Sequence, residues 1–436
     1  MRPVGATRTL PAVTTDLLAD LDARGLIHNT TDRAELAAAL DSGPVTVYHG
    51  IDPTADTLHL GNLIGVLQMV RFQQAGHKPI ALVGGSTGMV GDPGGRSEER
   101  NLLDEATLTH NVAGIKATLA RFLDFSDDAV NSAQLVNNFD WTGELGVLDF
   151  LRDVGKHITV NQMMAKDSVR TRLESENGIS YTEFSYMLLQ AFDFWWLHEH
   201  MGCTMQIGGS DQWGNITAGA DLVRKRSQGT AHALTWPLLT RSDGAKFGKT
   251  ADGALWLDPN RTLPYELHQY YLRVSDEDVE RMLLQLTLLP VDEIAELMRA
   301  HGARPEQRIA QRRLADEGVT VIHGAGAAAQ ATLAGQALFG GAAVTGAIAE
   351  SLRGIVPETV VATSALDGDQ NLLGLLVDSG LCSSRNDARR KLGENQISVN
   401  GTKTDADAID STQVVDGRFV LLQRGKKARH LIVVSD

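Results

Sequence analysis

The sequence predicts an α/β fold: a Rossmann-like, doubly wound parallel sheet, then an α-helical domain, then a small α+β domain at the C-terminus. Three observations predict it. Short apolar runs of strand length, Pro44–Tyr48 and Pro79–Gly84, alternate with helix-patterned segments, as in a parallel sheet covered by helices. From Pro264 to about Ile322 the pattern becomes almost wholly helical. Beyond about Gln370 it changes to a short helix and a strand pair turning at Asn400-Gly401, a strong hairpin signal.

Taken in order, Thr15-Asp16 reads as a helix start ahead of Leu17, Leu18, Leu21 and Leu26. A second helix starts near Thr31-Asp32 and places Leu36 and Leu40 one turn apart. The strand ending at Tyr48 leads through a turn into a helix over Leu60–Ala75. Ligands of doubly wound sheets sit beyond the carboxyl ends of the strands, where Tyr48–Asn62 and Gly84–Arg96 fall. The irregular stretch over about 134–180 reads as an insertion between the two halves of the sheet. A long helix over Thr182–His200 leads into Met205-Gln206-Ile207-Gly208-Gly209. An Ala/Gly-rich segment spans Gly324–Ala349, and a last helix spans Ser384–Leu392. These breaks divide the chain into 1–240, a loop and linker over 241–262, a helical domain over 263–340, a linker over 341–369 and a final domain over 370–436.

A length of 436 residues exceeds what one compact core serves, which agrees with several domains. Hydrophobic content of 43% and charged content of 22% are ordinary for a globular protein. No apolar run reaches membrane-spanning length, and the N-terminus lacks the apolar core of a secretory signal, so a cytoplasmic protein with no membrane partner is expected. Cys203 and Cys382 are too few for a Cys-rich metal site and are expected to stay reduced. A net charge of -14 argues against wholesale coating of nucleic acid, so any such binding needs a local basic patch. One lies between Arg385 and Arg429, with ten Lys and Arg against six acids.

The chemistry concentrates in a few strings. A helix opening after Leu58 offers unpaired N–H groups to a triphosphate. His59 can donate to phosphate oxygens, Thr54 brings a hydroxyl, and Gly61 allows close approach. Gly244-Ala-Lys-Phe-Gly248-Lys249-Thr250 almost spells a P-loop but has three residues between its glycines where four are required. It reads instead as a mobile loop whose two lysines suit clamping of departing pyrophosphate, or, taken alone, as a surface turn that happens to hold two lysines. Tyr186, Gln190 and Asp193 share one helical face at spacings of four and three. A Tyr, an amide and a carboxylate on an apolar helix are costly without partners, and together they suit an ammonium and a hydroxyl. Gly208-Gly209-Ser210-Asp211-Gln212-Trp213-Gly214-Asn215 adds a Gly-rich turn bearing an acid and two amides.

Together, YHGIDPTADTLHLGN, GDPGGR, YMLLQAFD, QIGGSDQWGNI and KFGKT resemble the motifs of bacterial-type tyrosyl-tRNA synthetases, within the class I aminoacyl-tRNA synthetases. The resemblance runs from about Leu17 to Val434. It implies ATP-dependent activation of L-tyrosine, followed by transfer to tRNA(Tyr). It places the substrate phenol on Tyr48 and Asp193, and the α-ammonium on Asp92, Tyr186 and Gln190. Gln212 would lie beside the carboxylate and α-phosphate, and Asp211 with the Gly208 backbone at the ribose. Adenine would lie near Leu238 and Leu239. Gly50, Asp52, Gly61 and Asn62 complete the implied ATP site. Thr54, His59, Lys246, Lys249 and Thr250 match the groups that stabilise the transferring phosphates. Mg2+ would travel with ATP, with no dedicated protein metal site.

The resemblance further implies a homodimer meeting near the insertion, anticodon recognition by the helical domain, and RNA binding by the final domain. Arg385, Arg389, Arg390 and Lys391 are its candidate phosphate contacts; DNA is not an expected partner. Three positions depart from the family's commonest pattern. Asn62 replaces a second His, His49 stands where many relatives have Cys, and Lys-Phe-Gly-Lys-Thr keeps only the lysines of the commonest loop. The alternatives are a tryptophanyl enzyme, against which Tyr48, Asp193 and GGSDQWGN speak, and a non-catalytic RNA-binding paralogue. Intact His59 and loop lysines speak against the second.

Overall fold

A six-stranded sheet carries the first part of the chain. Its strands are β1 (Asn29–Thr30), β2 (Thr46–Ile51), β3 (Lys78–Val83), β4 (Gln134–Asn137), β5 (Cys203–Gly209) and β6 (His232–Trp236), in spatial order β1-β6-β5-β2-β3-β4. All neighbours from β6 to β4 pair in parallel, and β1 closes the edge antiparallel to β6. The chain winds from β2 outward to β4, then returns through β5 to β6. β2 and β5 are therefore adjacent strands leaving in opposite windings, the switch point at which such sheets hold ligands. The computed structural model describes residues 16–93, 104–175, 178–242, 244, 247–250, 253–339, 343–369, 371–425 and 428–435.

Local chemistry sets the helix ends. Asp16 accepts from the N–H of Leu18 and Ala19 and opens the helix Leu17–Ala23. Asp32 does the same for Arg33–Asp41. Each satisfies otherwise unpaired first-turn donors, an effect of about 1 kcal/mol per cap. Ser180 caps the long helix Tyr181–Met201, and Gly202 ends it in the left-handed conformation at φ 62°. That helix packs Met187, Leu188, Ala191, Phe194 and Leu197 against Ala218, Leu222 and Val223 of the helix Trp213–Ser227. The apolar stripe thus faces the sheet while Tyr186, Gln190 and Asp193 turn toward the ends of its strands.

The chain divides into two compact units, Met1–Arg261 with Ser275–Ala310, and Thr262–Val274 with Gln311–Asp436. The helical stretch expected as one domain over 263–340 is therefore shared between them. In the first unit, Arg24 and Arg71 donate to carbonyls of Leu284, Gln285, Thr287 and Leu289, at and beyond the end of the helix Asp276–Leu286. Guanidinium donors satisfy the unpaired carbonyls and partial negative charge of a helix C-terminus. The insertion also begins later than the sequence suggests, because Gln134–Asn137 is sheet edge β4, paired with Ile80–Val83. Helices Phe139–Thr142, Val147–Asp153, Val160–Met164 and Asp167–Leu173 follow it. A buried Arg172–Glu183 ion pair at 2.8 Å ties the last of these to the long helix.

After the small hairpin of β7 (Lys249–Thr250) and β8 (Gly253–Ala254), the second unit holds a five-stranded sheet of order β11-β10-β12-β13-β9. Its strands are β9 (Glu358–Ala362), β10 (Ile397–Val399), β11 (Thr402–Lys403), β12 (Phe419–Arg424) and β13 (Ala428–Ser435). The turn expected at Asn400-Gly401 joins β10 to β11, with φ of 50° and 82° as a tight hairpin turn requires. The stretch expected as a linker over 341–369 contains β9, which pairs in parallel with β13. A five-residue strand that alternates in exposure takes its stability from its partner, here about 70 residues away in sequence.

Candidate active site

At the carboxyl ends of β2 and β5 lies a cavity of about 560 Å³. Its walls come from the β2 end and following turn (Tyr48, His49, Gly50, Asp52, Thr54), the helix start (His59, Gly61, Asn62) and Asp92. The long helix adds Tyr186, Gln190 and Asp193; the β5 end and turn add Gly208, Asp211 and Gln212; Leu238 and Leu239 follow β6. Each of these is a residue the sequence singles out. Lys246 lies outside the described residues. Lys249 and Thr250 form β7 by their backbone.

The floor is buried and polar. Tyr48 is 1% exposed, its ring edge-on to Phe194 at 5.3 Å. Its hydroxyl neighbours Gln206 yet makes no well-formed hydrogen bond among the described residues, and the Gln206 carbonyl oxygen is likewise unpaired. Asp193 is 1% exposed and accepts from Asn138 Nδ2 at 2.9 Å and Trp141 Nε1 at 2.8 Å. Burial pushes its carboxyl up to about 7, against the pull of those two donors. Burial likewise holds the Tyr48 phenol well above its ordinary value, with the Asp193 charge adding to it. Tyr48 and Asp193 thus each present a polar group to the cavity. Buried polar atoms left without partners are costly, so this floor suits a ligand hydroxyl that donates and accepts at once.

Beside the floor, Lys166, Gln212 and Asn215 donate to Asp92. Lys166 Nζ reaches one carboxylate oxygen at 2.9 Å, and Gln212 Nε2 (2.8 Å) and Asn215 Nδ2 (3.2 Å) reach the other. Asn215 Nδ2 also reaches Gln190 Oε1 at 3.0 Å. Tyr186 donates its hydroxyl to Asp52 at 3.3 Å. Carboxylate, amide oxygen and phenol oxygen converge here, an acceptor-rich corner fit for a cation.

Opposite, residues Leu60–Asn62 form a single tight turn leading into the helix Leu63–Gln74, and Asn62 Oδ1 accepts from the His59 N–H at 3.1 Å. This is what Asn62 does in place of a second His. Gly61 is required locally too: a Cβ there would sit 2.9 Å from the His59 ring. His49 points across the cavity, its Nδ1 3.2 Å from the Ile207 carbonyl, its ring edge-on to Trp236 at 5.3 Å. Burial lowers its pKa to about 4, so it is neutral at physiological pH. A neutral His facing a carbonyl carries its proton on that nitrogen and leaves Nε2 an acceptor.

Sequence reasoning missed Gln206, Thr87 and Trp236 as lining residues, and Asn138, Trp141 and Lys166 behind the lining; it marked Asn215 only as an amide of the Gly-rich turn, without a role. Asn138 and Trp141 sit in the insertion, and nothing in a lone Asn or Trp signals a partner far along the chain. In the second unit, Arg385, Arg389 and Arg390 are exposed and Lys391 half-buried. Arg390 and Lys391 are ion-paired with Asp387 and Glu394, which leaves them less available to phosphate than the sequence suggests. Lys426 and Lys427 of the same basic segment, and Gly94, Gly95 and Arg96 of GDPGGR, lie outside the described residues.

Comparisons with known proteins bear on the same residues. The family model described as tRNA synthetases class I (W and Y) matches residues 40–340, and that of the tyrosine–tRNA ligase SYY-like C-terminal domain matches residues 350–432. A tyrosine–tRNA ligase of Opitutus terrae is 47% identical over 423 residues, 96% of this chain and 99% of that one. One from Bacillus caldotenax is 49% identical over 422 residues, with the same coverage. Among solved structures, a C-terminally truncated mitochondrial tyrosyl-tRNA synthetase of Aspergillus nidulans superposes with a TM-score of 0.66 at 33% identity. It covers 74% of this chain and 94% of its own. A chain matched in sequence over both its parts, and in fold over about three quarters of its length, belongs to the tyrosine–tRNA ligase branch of the class I tRNA synthetases.

Proposed function

We infer that this protein is a tyrosine–tRNA ligase. It activates L-tyrosine with ATP to tyrosyl-adenylate and pyrophosphate, then transfers tyrosine to the 3'-terminal adenosine of tRNA(Tyr). The observation that carries the reading is the buried floor of Tyr48, Gln206 and Asp193 beside the acceptor-rich corner at Asp92. Their placement suits a molecule with a hydroxyl at one end and an ammonium at the other.

In this reading the phenol binds between Tyr48 and Asp193, and the ammonium among Asp92, Tyr186 and Gln190. Gln212 lies at the substrate carboxylate, Asp211 and Gly208 at the ribose, and Leu238 and Leu239 at adenine. The carboxylate is ionised at neutral pH, so no general base is needed: its oxygen bonds to the α-phosphorus as the bond to pyrophosphate breaks. Acceleration then comes from positioning and from donors aimed at charge that develops. Thr54, His59 and the N–H groups after it serve the phosphates from one side, and Lys246, Lys249 and Thr250 from the other. Mg2+ carried with ATP would supply further neutralisation of its phosphate charge. Among the described residues no group of three His, Cys, Asp or Glu is arranged to hold a metal.

The protein works as a homodimer in the cytoplasm. Val147, Leu148, Leu151, Val160 and Met164 of the insertion are exposed apolar side chains close in sequence, which supports a partner copy on that face. No described helix is long and apolar enough to cross a membrane. The test of the activity is amino-acid-dependent exchange of pyrophosphate into ATP with all twenty amino acids. Exchange with tyrosine alone is expected. Exchange with tryptophan would overturn the site assignment, and none with any amino acid would overturn the reading.

A further inference from the structure

One buried charge next to the cavity is not used by that mechanism. Lys166 stands at the start of the helix Asp167–Leu173 in the insertion, and its side chain is 5% exposed. Its Nζ donates to Asp92 Oδ1 and to Asn215 Oδ1, both at 2.9 Å, and lies 6.0 Å from the centre of the Tyr186 ring. Its stem runs along Gly214, where a Cβ would meet Lys166 Cγ at 3.4 Å. A buried ammonium is unfavourable unless it is well paired, and packing alone would be served better by an apolar side chain.

A lysine ammonium has donors only. It therefore turns the Asn215 carbonyl toward itself and the amide N–H2 group away. The two hydrogens of that N–H2 group are then shared among Asp92 Oδ2 at 3.2 Å, Gln190 Oε1 at 3.0 Å and Gln212 Oε1 at 3.0 Å. With its oxygen engaged, Gln212 turns its own Nε2 to Asp92 Oδ2 at 2.8 Å and Asp211 Oδ2 at 2.9 Å. Each amide in the chain has a fixed direction, held between the donor-only ammonium of Lys166 and the acceptor-only carboxylate of Asp92. A neutral side chain at 166 removes the donor that holds the Asn215 oxygen, and a flipped Asn215 would place a carbonyl where Asp92, Gln190 and Gln212 need a donor. Lys166 is not in the cavity lining, so any effect on substrate passes through these groups.

We propose that Lys166 is a positioning residue for recognition of the substrate α-ammonium, setting the donor–acceptor direction of the Asn215, Gln190, Gln212 and Asp92 network. The proposal rests on the reading of Asp92, Tyr186 and Gln190 as the ammonium site. The test uses Lys166→Met in the full-length protein, with three readouts from tyrosine-dependent pyrophosphate exchange. These are KM for tyrosine, KM for ATP, and inhibition by 3-(4-hydroxyphenyl)propionate, which keeps phenol and carboxylate and lacks the ammonium. Loss of direction at a charged hydrogen-bonded site is expected to raise KM for tyrosine about tenfold or more. KM for ATP and the inhibition constant should stay within about twofold of wild type. An unchanged KM for tyrosine overturns the proposal. So does an equal rise in KM and inhibition constant, which is what a merely structural role produces. If Lys166→Met does not reach a folded state by circular dichroism, Lys166→Gln carries the same measurements. Wild-type protein that gives no tyrosine exchange overturns the ligase reading itself, whereas wild-type exchange with an unshifted variant overturns only the role of Lys166.

Discussion

Replacing Asp193 by Asn should make the protein more stable at alkaline pH while destroying its activity. Asp193 lies fully buried, and its carboxyl is raised from an ordinary 3.8 to about 7. A raised folded-state pKa means that the folded protein holds the proton longer than the unfolded chain does. Its contribution to stability is full below pH 3.8 and is lost as pH rises through 7. At about 1.36 kcal/mol per unit, ionised Asp193 costs about 4 kcal/mol above pH 7 and about 1.5 kcal/mol at pH 5. An asparagine at this position does not ionise, so that pH-dependent cost disappears. A second cost does not depend on pH. Trp141 Nε1 and Asn138 Nδ2 both donate to the carboxylate, and Asn138 cannot reverse because its oxygen accepts from the Ser86 N–H at 2.8 Å. One donor would then face the new N–H2 group, at about 1–3 kcal/mol.

The two terms separate by pH. Urea unfolding followed by tryptophan fluorescence suits the assay, because Trp141 and Trp196 stack in this part of the core. The stability difference between Asp193→Asn and wild type should move in the variant's favour by about 2.5 kcal/mol between pH 5 and pH 8. His49, which titrates in the opposite sense, is common to both proteins and cancels. A difference that does not change with pH would refute the reasoning. Tyrosine-dependent exchange should fall by at least about a hundredfold, since in the proposed reading the phenol loses its buried carboxylate partner to a neutral amide.

Tyr48→Phe should raise KM for tyrosine by about three- to tenfold, the equivalent of one hydrogen bond, with KM for ATP unmoved; a change in both would argue for a general distortion of the site. Gly65→Ala would put a Cβ 2.5 Å from His49 Nε2, so denaturation should show a loss of about 1–3 kcal/mol. Adding His49→Ala should recover most of it in a double-mutant cycle, and strict additivity would contradict the contact. Reversing charge at Arg385 and Arg389 should weaken tRNA charging at least about tenfold while leaving pyrophosphate exchange intact, which a paired measurement of the two steps decides.

Much of this molecule is legible in one dimension. Caps at Asp16, Asp32 and Ser180, the turn at Asn400-Gly401 and the strand-turn-helix order through Asn62 depend on neighbours within a few residues, so local pattern determines them. The spacing of Tyr186, Gln190 and Asp193 also follows from helix geometry alone. Motif order then brought the residues of separated strings to one cavity, because a doubly wound sheet gathers its strand ends at a single switch point. What only the tertiary structure decided is which groups stand behind those residues. Asn138 and Trp141 reach Asp193 from an insertion with no regular pattern, and Lys166 reaches Asp92 across 74 positions. The pairing of β9 with β13 and the packing of residues 275–310 into the first unit were equally hidden. Each depends on burial and on a partner distant in sequence. Periodicity reports which face of an element is apolar, but not which polar group will meet it there.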